Sequence, residues 1–172
     1  MICNAEYIAQ PYSGEYVEKV YNIESSWNTG SWAWIKFSDE NGEWCGEFRG
    51  EYKSVSVSKK LGIVVVLTTD YMYVLDINTA EVIEYRSQPE YIETIVSPYD
   101  DIFITDGYGL EMFVTNKVKD LQTIVIPAYP DNLRFVEWEG NILKMECYEF
   151  LNWEKKIELY LDCVSFEWTV RE

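Results

Sequence analysis

Residues 54–85, SVSVSKKLGIVVVLTTDYMYVLDINTAEVIEY, decide the fold. The stretch holds four apolar or alternating segments, each about five or six residues long, with short polar turns between them. Segments of this length joined by tight turns predict an antiparallel β-meander. The second segment, residues 63–67, is apolar on both faces. We therefore expect it to be an inner strand that is covered on both sides.

The pattern repeats along the chain. Ile63, Ile102 and Ile142 each follow a turn segment of four residues. Ile102 comes 39 positions after Ile63, and Ile142 comes 40 positions after Ile102. A period near 40 with four strands per unit is typical of propeller blades, and a β-sandwich or barrel of hairpins is the competing interpretation. We predict an all-β, propeller-like stack of antiparallel four-stranded sheets, forming an open or partial propeller. We expect a single domain over residues 1–172, with an irregular N-terminal sheet and three blade-like units at residues 1–50, 54–85, 92–126 and 133–170.

One segment of the first blade-like unit has a recognisable pattern. Residues 69–80, TDYMYVLDINTA, resemble the third strand and following turn of a WD40-like or quinoprotein-like blade, with Leu75-Asp76 in the place of the Trp-Asp dipeptide. The Gly-His element of WD40 repeats is missing from the sequence. The resemblance implies a blade fold and no particular activity.

The charge balance limits the kinds of partner. Thirty acidic residues against 14 basic ones give a net charge of −16 and a pI near 4.3. Phosphate groups would be repelled, so we expect neither a nucleic-acid partner nor an anionic membrane surface. A basic protein partner fits this charge, and the alternative is a surface that is acidic only for solubility.

Histidine is absent, which removes the usual general base and the commonest metal ligand. No phosphate-binding glycine loop and no nucleophile motif occurs, so we expect a protein that is not an enzyme and has no cofactor. Asp100, Asp101 and Asp106 do not have the spacing of a calcium loop, and no metal site is expected.

The four cysteines have no C-x-x-C spacing, and we expect reduced core thiols. The N-terminus shows neither a basic n-region nor an apolar h-region. The sequence therefore predicts a cytoplasmic protein.

The most suggestive stretch for binding is residues 87–116, because it contains 6 acidic residues, no lysine or arginine, and several tyrosines in turns. Acidic groups steer a cationic partner, and tyrosines supply contact area at low entropic cost. Two glutamates on one face of a later strand complete the set. The predicted partner-binding residues are Glu90, Glu93, Asp100, Asp101, Asp106, Tyr108, Glu137 and Glu139.

The overall character of the chain (small, very acidic, rich in aromatic residues and built of degenerate repeats) resembles the immunity proteins of interbacterial toxin systems, including contact-dependent growth inhibition. The resemblance implies a bacterial protein that covers the active site of a basic toxin, for which a nuclease is the expected type. Two alternatives stay open. One is a carbohydrate-binding module that uses Trp32, Trp34, Trp138 and Trp168, and the other is a propeller-type scaffold subunit.

Overall fold

A computed structural model describes residues 1–171 and shows an all-β protein, as predicted. The strands form four four-stranded sheets, which we number I to IV along the chain. The described residues contain one short 3-10 helix, at Val118–Asp120. The strands are β1 (Asn4–Ile8), β2 (Val17–Tyr21), β3 (Trp32–Asp39) and β4 (Gly42–Arg49) in sheet I; β5 (Tyr52–Ser58), β6 (Ile63–Thr68), β7 (Tyr71–Asp76) and β8 (Val82–Ser87) in sheet II; β9 (Glu93–Val96), β10 (Ile102–Thr105), β11 (Leu110–Met112) and β12 (Gln122–Ile124) in sheet III; and β13 (Pro130–Glu139), β14 (Ile142–Glu149), β15 (Asn152–Asp162) and β16 (Trp168–Arg171) in sheet IV.

The chain divides into two compact units. The first, Met1–Glu90, contains sheets I and II, and the second begins at Tyr91 and contains sheets III and IV. That the two form one domain stays a prediction.

Sheets II, III and IV are antiparallel meanders in which each strand pairs with the next along the chain. The repeat seen in the sequence has a structural counterpart, because Ile63, Ile102 and Ile142 each begin the second strand of a sheet. The four-stranded meander is the form of a propeller blade, which confirms the propeller-like fold class. All six residues of β6 are buried, as expected for an inner strand covered on both faces.

Sheet I is regular, but its order is β1-β3-β4-β2 and β2 pairs with β4 in parallel. The N-terminal sheet therefore contains one parallel pair among otherwise antiparallel pairs. The cause is the connection at residues 22–31, which carries the chain back so that β2 lies beside β4. Asp70 holds this connection, because its carboxylate accepts hydrogen bonds from the backbone N–H of Thr29 at 2.7 Å and from its hydroxyl at 3.1 Å.

The core of the first unit follows the alternation of its strands. Ala33, Ile35 and Phe37 point inward from β3 and pack with Val64 and Val66 of β6. At Gly46 any side chain would meet the rings of Phe48 and Phe37, since a Cβ would lie 2.7 and 2.8 Å from them.

The core of the second unit is built from sheets III and IV. Leu143 and Met145 of β14 and Leu159 and Leu161 of β15 are fully buried and pack with Phe103 of β10. The opposite face of sheet IV carries charged and polar side chains. Several strands of this unit are short: β11 and β12 have three residues each, and β16 has four.

Candidate protein-binding surface

Turns from sheets III and IV meet at one end of the second unit. The backbone N–H of Cys163, in the β15–β16 turn, donates to the carbonyl of Asn141 in the β13–β14 hairpin at 2.9 Å. The Asn141 amide donates to the Asp162 carboxylate at 3.0 Å. Burial is the main reason that the pKa of the Cys163 thiol is raised, and the charges of Asp162 and of Asp101, which ends the β9–β10 turn, add to the rise. We call this surface the acidic end and define it by Asp101, Glu139, Asp162 and Glu167.

A cleft of about 360 Å³ opens at the acidic end on the solvent face of sheet IV. Three carboxylates and one guanidinium group contribute to its wall. Its lining residues are Glu139, Ile142, Tyr160, Asp162, Glu167, Thr169 and Arg171. An open cleft with three carboxylates against one guanidinium group is suited to a cationic side chain of a partner.

Hydrogen bonds hold Asp162 in its ionised form. The backbone N–H groups of Val164 and Ser165 donate to its Oδ1 at 2.8 and 3.1 Å, and both lower the pKa of this carboxyl. The same bonds close the turn at residues 162–167, which explains why β16 begins late. Asp162 therefore supplies a fixed negative charge near neutral pH.

Two lysines of sheet IV pair with other carboxylates, and Arg171 stacks on an aromatic ring. Lys144 lies 3.5 Å from Glu158, and Lys156 lies 2.8 Å from Glu146. The Arg171 guanidinium stacks over the ring of Tyr160, with 4.6 Å between the guanidinium carbon and the ring centroid. Within residues 1–171 no lysine or arginine forms an ion pair with Glu139, Asp162 or Glu167, so the charge of these groups is available to a partner.

The strand β10 separates two groups of predicted contact residues. Asp100 and Asp101 precede β10 and lie at the acidic end, whereas Asp106 and Tyr108 follow it at the opposite end of sheet III. Four strand residues span about 13 Å, so the two turns do not form one patch. The Asp106 carboxylate accepts the N–H groups of Tyr108 and Gly109 at 2.8 and 2.7 Å, and it therefore also shapes its own turn.

Glu93 lies at the junction between sheets III and IV. It begins β9 and its carboxylate accepts the backbone N–H of Phe135 in β13 at 2.6 Å, which joins sheet III to sheet IV. Burial raises the pKa of Glu93, while this N–H and the nearby Arg134 guanidinium oppose the rise. A carboxylate that is both desolvated and bonded inside its own unit has less capacity to bind a partner than that of Asp162, which is also bonded but lines an open cleft.

The other predicted glutamates are exposed. Glu90 lies 3.8 Å from Arg86 in an ion pair of the first unit. Glu137 and Glu139 point to the solvent face of β13, and Trp138 between them turns towards the core, as the alternation predicts. Glu137 lies opposite Lys144 in the register. Glu139 is one residue from the hairpin and belongs to the acidic end.

Sequence reasoning missed Asp162 and Glu167. Their only local signal is the pattern D-x-x-S-x-E in a turn between two strand-like segments. The pattern predicts a turn, but it does not reveal that Asn141 brings the turn to the β13–β14 hairpin.

An apolar tip lies at the opposite end of sheet IV, in the β14–β15 turn. Phe150, Leu151 and Trp153 are 51%, 79% and 61% exposed, and the N–H of Phe150 donates to the carbonyl of Tyr129, which is 85% exposed. Leu151 has a φ of +63°, a left-handed conformation that is costly for a branched residue. Exposed apolar groups of this kind are the competing contact surface of the second unit.

The four tryptophans considered for sugar binding fall into two groups. Trp138 and Trp168 pack against the core of the second unit, and the ring of Trp138 lies 5.9 Å from that of Phe103. Trp32 and Trp34 line a cleft of the first unit.

No group of three or more histidine, cysteine, aspartate or glutamate side chains in residues 1–171 is placed to hold a metal ion. The four cysteines are free thiols; Cys45, Cys147 and Cys163 are buried as expected, while Cys3 is exposed. Within the same residues, no helix has the length and apolar character needed to cross a bilayer.

Comparison with known proteins gives a likeness at the level of structure only. No protein-family model matches the chain, and no curated protein is similar to it in sequence. Among solved structures, the N-terminal domain of Nup159 superposes with a TM-score of 0.48 and 10% identity over 72% of this chain. The chain spans about a third of that structure, since 34% of its length is covered. At this level of similarity nothing about activity or partners transfers to the chain.

Proposed function

We propose that this protein is a binding module that neutralises a basic partner protein, and that it acts as a cytoplasmic immunity protein against a bacterial toxin of the nuclease type. The observation that carries the proposal is the acidic end, where carboxylates from three turns converge beside a cleft. A net charge of −16 supplies the long-range attraction for a cationic partner.

The chemistry of inhibition follows from the groups present. A nuclease cleft is lined by lysines and arginines that bind the phosphates of its substrate. Glu139, Asp162 and Glu167 would take the places of those phosphates and pair with the same cations. Arginine forms bidentate bonds with carboxylates, so such contacts also fix the orientation of the partner.

Among the predicted contacts, the proposal includes Asp100, Asp101 and Glu139 and adds Asp162 and Glu167. Asp106 and Tyr108 lie at the other end of sheet III, and Glu93 bonds to Phe135 within its own unit. The proposed contact surface therefore excludes these three residues.

Binding to the basic domain encoded beside the gene tests the proposal. The variant Glu139→Lys/Glu167→Lys changes the net charge from −16 to −12, because each substitution adds two charges. Glu167 joins its turn through backbone groups, so its side chain can be exchanged without removing the turn. The matched control is Glu40→Lys/Glu154→Lys, at two exposed positions with the same change of charge.

We expect affinity to fall by about 100-fold for the first variant, which corresponds to about 1.4 kcal/mol for each reversed contact. The affinity of the control variant should fall by about threefold or less, because only the long-range attraction is weakened. Equal losses of affinity in the two variants would show that net charge matters and the acidic end does not. If the wild-type protein does not bind the basic domain, the proposal is wrong.

A further inference from the structure

A cleft in the first unit is lined mainly by aromatic side chains. It has a volume of about 560 Å³, within the usual size range of small-ligand sites. Four rings form one part of its wall, and backbone and polar groups form the other. The lining residues are Tyr7, Gly30, Ser31, Trp32, Trp34, Glu51 and Tyr52.

The two indole rings are exposed to the cleft because of the alternation in β3. Ala33 and Ile35 are fully buried in the core, so Trp32 and Trp34 project from the other face of the strand. Residues two apart on a strand are separated by about 7 Å. The pair therefore presents neighbouring aromatic surfaces, and neither indole is needed to fill the core.

The tyrosines join the edges of two sheets. The rings of Tyr7 in β1 and Tyr52 in β5 stack with 4.3 Å between their centroids and 11° between their planes. Tyr7 is half exposed, so this stacked pair extends the aromatic wall to the surface.

The polar side of the cleft is held in place by the backbone. The Ser31 hydroxyl donates to Glu51 at 3.4 Å. Glu51 in turn exchanges two 2.9 Å bonds with Thr69: the backbone N–H of Thr69 donates to its carbonyl, and its own N–H donates to the Thr69 hydroxyl. The backbone that carries the Glu51 carboxylate is therefore fixed, so less of the chain has to be ordered when a ligand binds.

The charges in and around the cleft exclude charged ligands. The Arg49 guanidinium lies over the Trp32 ring, with its carbon 3.7 Å from the centroid, and already occupies the position that a bound cation would take. An anion would meet the Glu51 carboxylate. A neutral ligand with an apolar face and several hydroxyl groups fits both constraints.

We propose that this cleft binds a neutral saccharide, with a sugar ring packed on Trp34 beside the Arg49-covered ring of Trp32 and with sugar hydroxyls bonded to Glu51 and Ser31. The C–H face of a pyranose ring packs on an aromatic surface, and the polar pair offers both a donor and an acceptor. A proline-rich peptide also packs on aromatic grooves, but a proline ring has no hydroxyl to use this pair. This site is independent of the acidic end.

The test is a titration of the full chain with cellotetraose, chitotetraose, maltotetraose and a ten-residue polyproline peptide. Indole N–H signals in nuclear magnetic resonance spectra separate Trp32 and Trp34 from the other tryptophans. We expect one of the three sugars to shift the Trp34 signal with a dissociation constant of about 1 mM or below. No shift with any sugar at millimolar concentration, or shifts with the peptide alone, would overturn the proposal.

Variants locate the binding site. Trp34→Ala should weaken sugar binding by at least about tenfold. Glu51→Ala, at an exposed side chain, tests the cleft without disturbing packing and should weaken binding by about fivefold. Trp153→Ala is the control, because it removes an exposed tryptophan that does not line the cleft. Undiminished binding by Glu51→Ala, or an equal loss in the control, would contradict the assignment.

Discussion

Replacing Glu93 tests whether this residue is structural or a partner contact. Its carboxylate accepts the Phe135 N–H at 2.6 Å, and it is partly buried between sheets III and IV. Glu93→Ala leaves this N–H without its acceptor, so the free energy of unfolding should fall by about 1–3 kcal/mol. Glu93→Gln keeps a side-chain oxygen that can accept the same N–H, and we expect a much smaller change.

The two variants also differ from the wild type in their dependence on pH. Burial raises the pKa of Glu93 in the folded protein above its ordinary value of 4.5. The folded state therefore binds the proton more tightly than the unfolded state does. The stabilisation from this group is complete below the ordinary pKa and is lost as pH rises through the raised folded value. Glu93→Gln has no such group, so its stability relative to the wild type should increase between pH 4 and pH 7.

Urea unfolding followed by tryptophan fluorescence measures these differences, and comparison with the wild type at each pH cancels the other carboxyls. Amide hydrogen exchange at Phe135 supplies a local readout, because this N–H should exchange faster in Glu93→Ala than in Glu93→Gln. Equal stability of the alanine variant and the wild type at every pH would refute the structural role. Loss of partner binding in a variant of unchanged stability would instead make Glu93 a contact.

Three further predictions concern the backbone and the thiols. Gly50→Ala should destabilise the first unit by about 2–3 kcal/mol or more, because φ is +101° and the new Cβ would lie 2.7 Å from a backbone nitrogen. Gly62→Ala is the control: with φ +69° and open space around it, it should cost only about 1 kcal/mol. Similar losses of unfolding free energy for the two variants in urea would contradict the steric argument. Leu151→Gly should raise the free energy of unfolding by up to about 1 kcal/mol, since it relieves a left-handed conformation at an exposed side chain, and a destabilised variant would show that the side chain packs. At pH 8 the exposed Cys3 should react first with a thiol reagent, whereas Cys45 should stay unreactive because burial raises the pKa of its thiol to about 11; rapid reaction of all four thiols in the native protein would contradict this.

The fold could be predicted where its determinants are local. Alternation and turn residues between 54 and 85 specify sheet II, and the apolar run at 63–67 specifies its inner strand. Sheet I could not be predicted in the same way, because its parallel β2–β4 pairing depends on a connection held by Asp70, about forty residues away in sequence.

The candidate site could be predicted only in part, for a similar reason. Asp101 and Asp106 are close in sequence but lie on opposite sides of β10, so they belong to different ends of sheet III. Asp162 is distant in sequence from Asn141, and the strand register brings them to 3.0 Å. Net charge and acidic composition favour a basic partner, which stays a prediction, while the surface that would meet it depends on contacts between turns.

The central claim is that the acidic end meets a basic partner, and hydrogen exchange of the complex tests it most directly. On binding of the basic domain encoded beside the gene, amides at residues 99–101, 139–141 and 162–167 should exchange more slowly, while those at 106–109 and 150–153 should not change. Protection confined to 106–109 and 150–153, with the acidic end unchanged, would contradict the account.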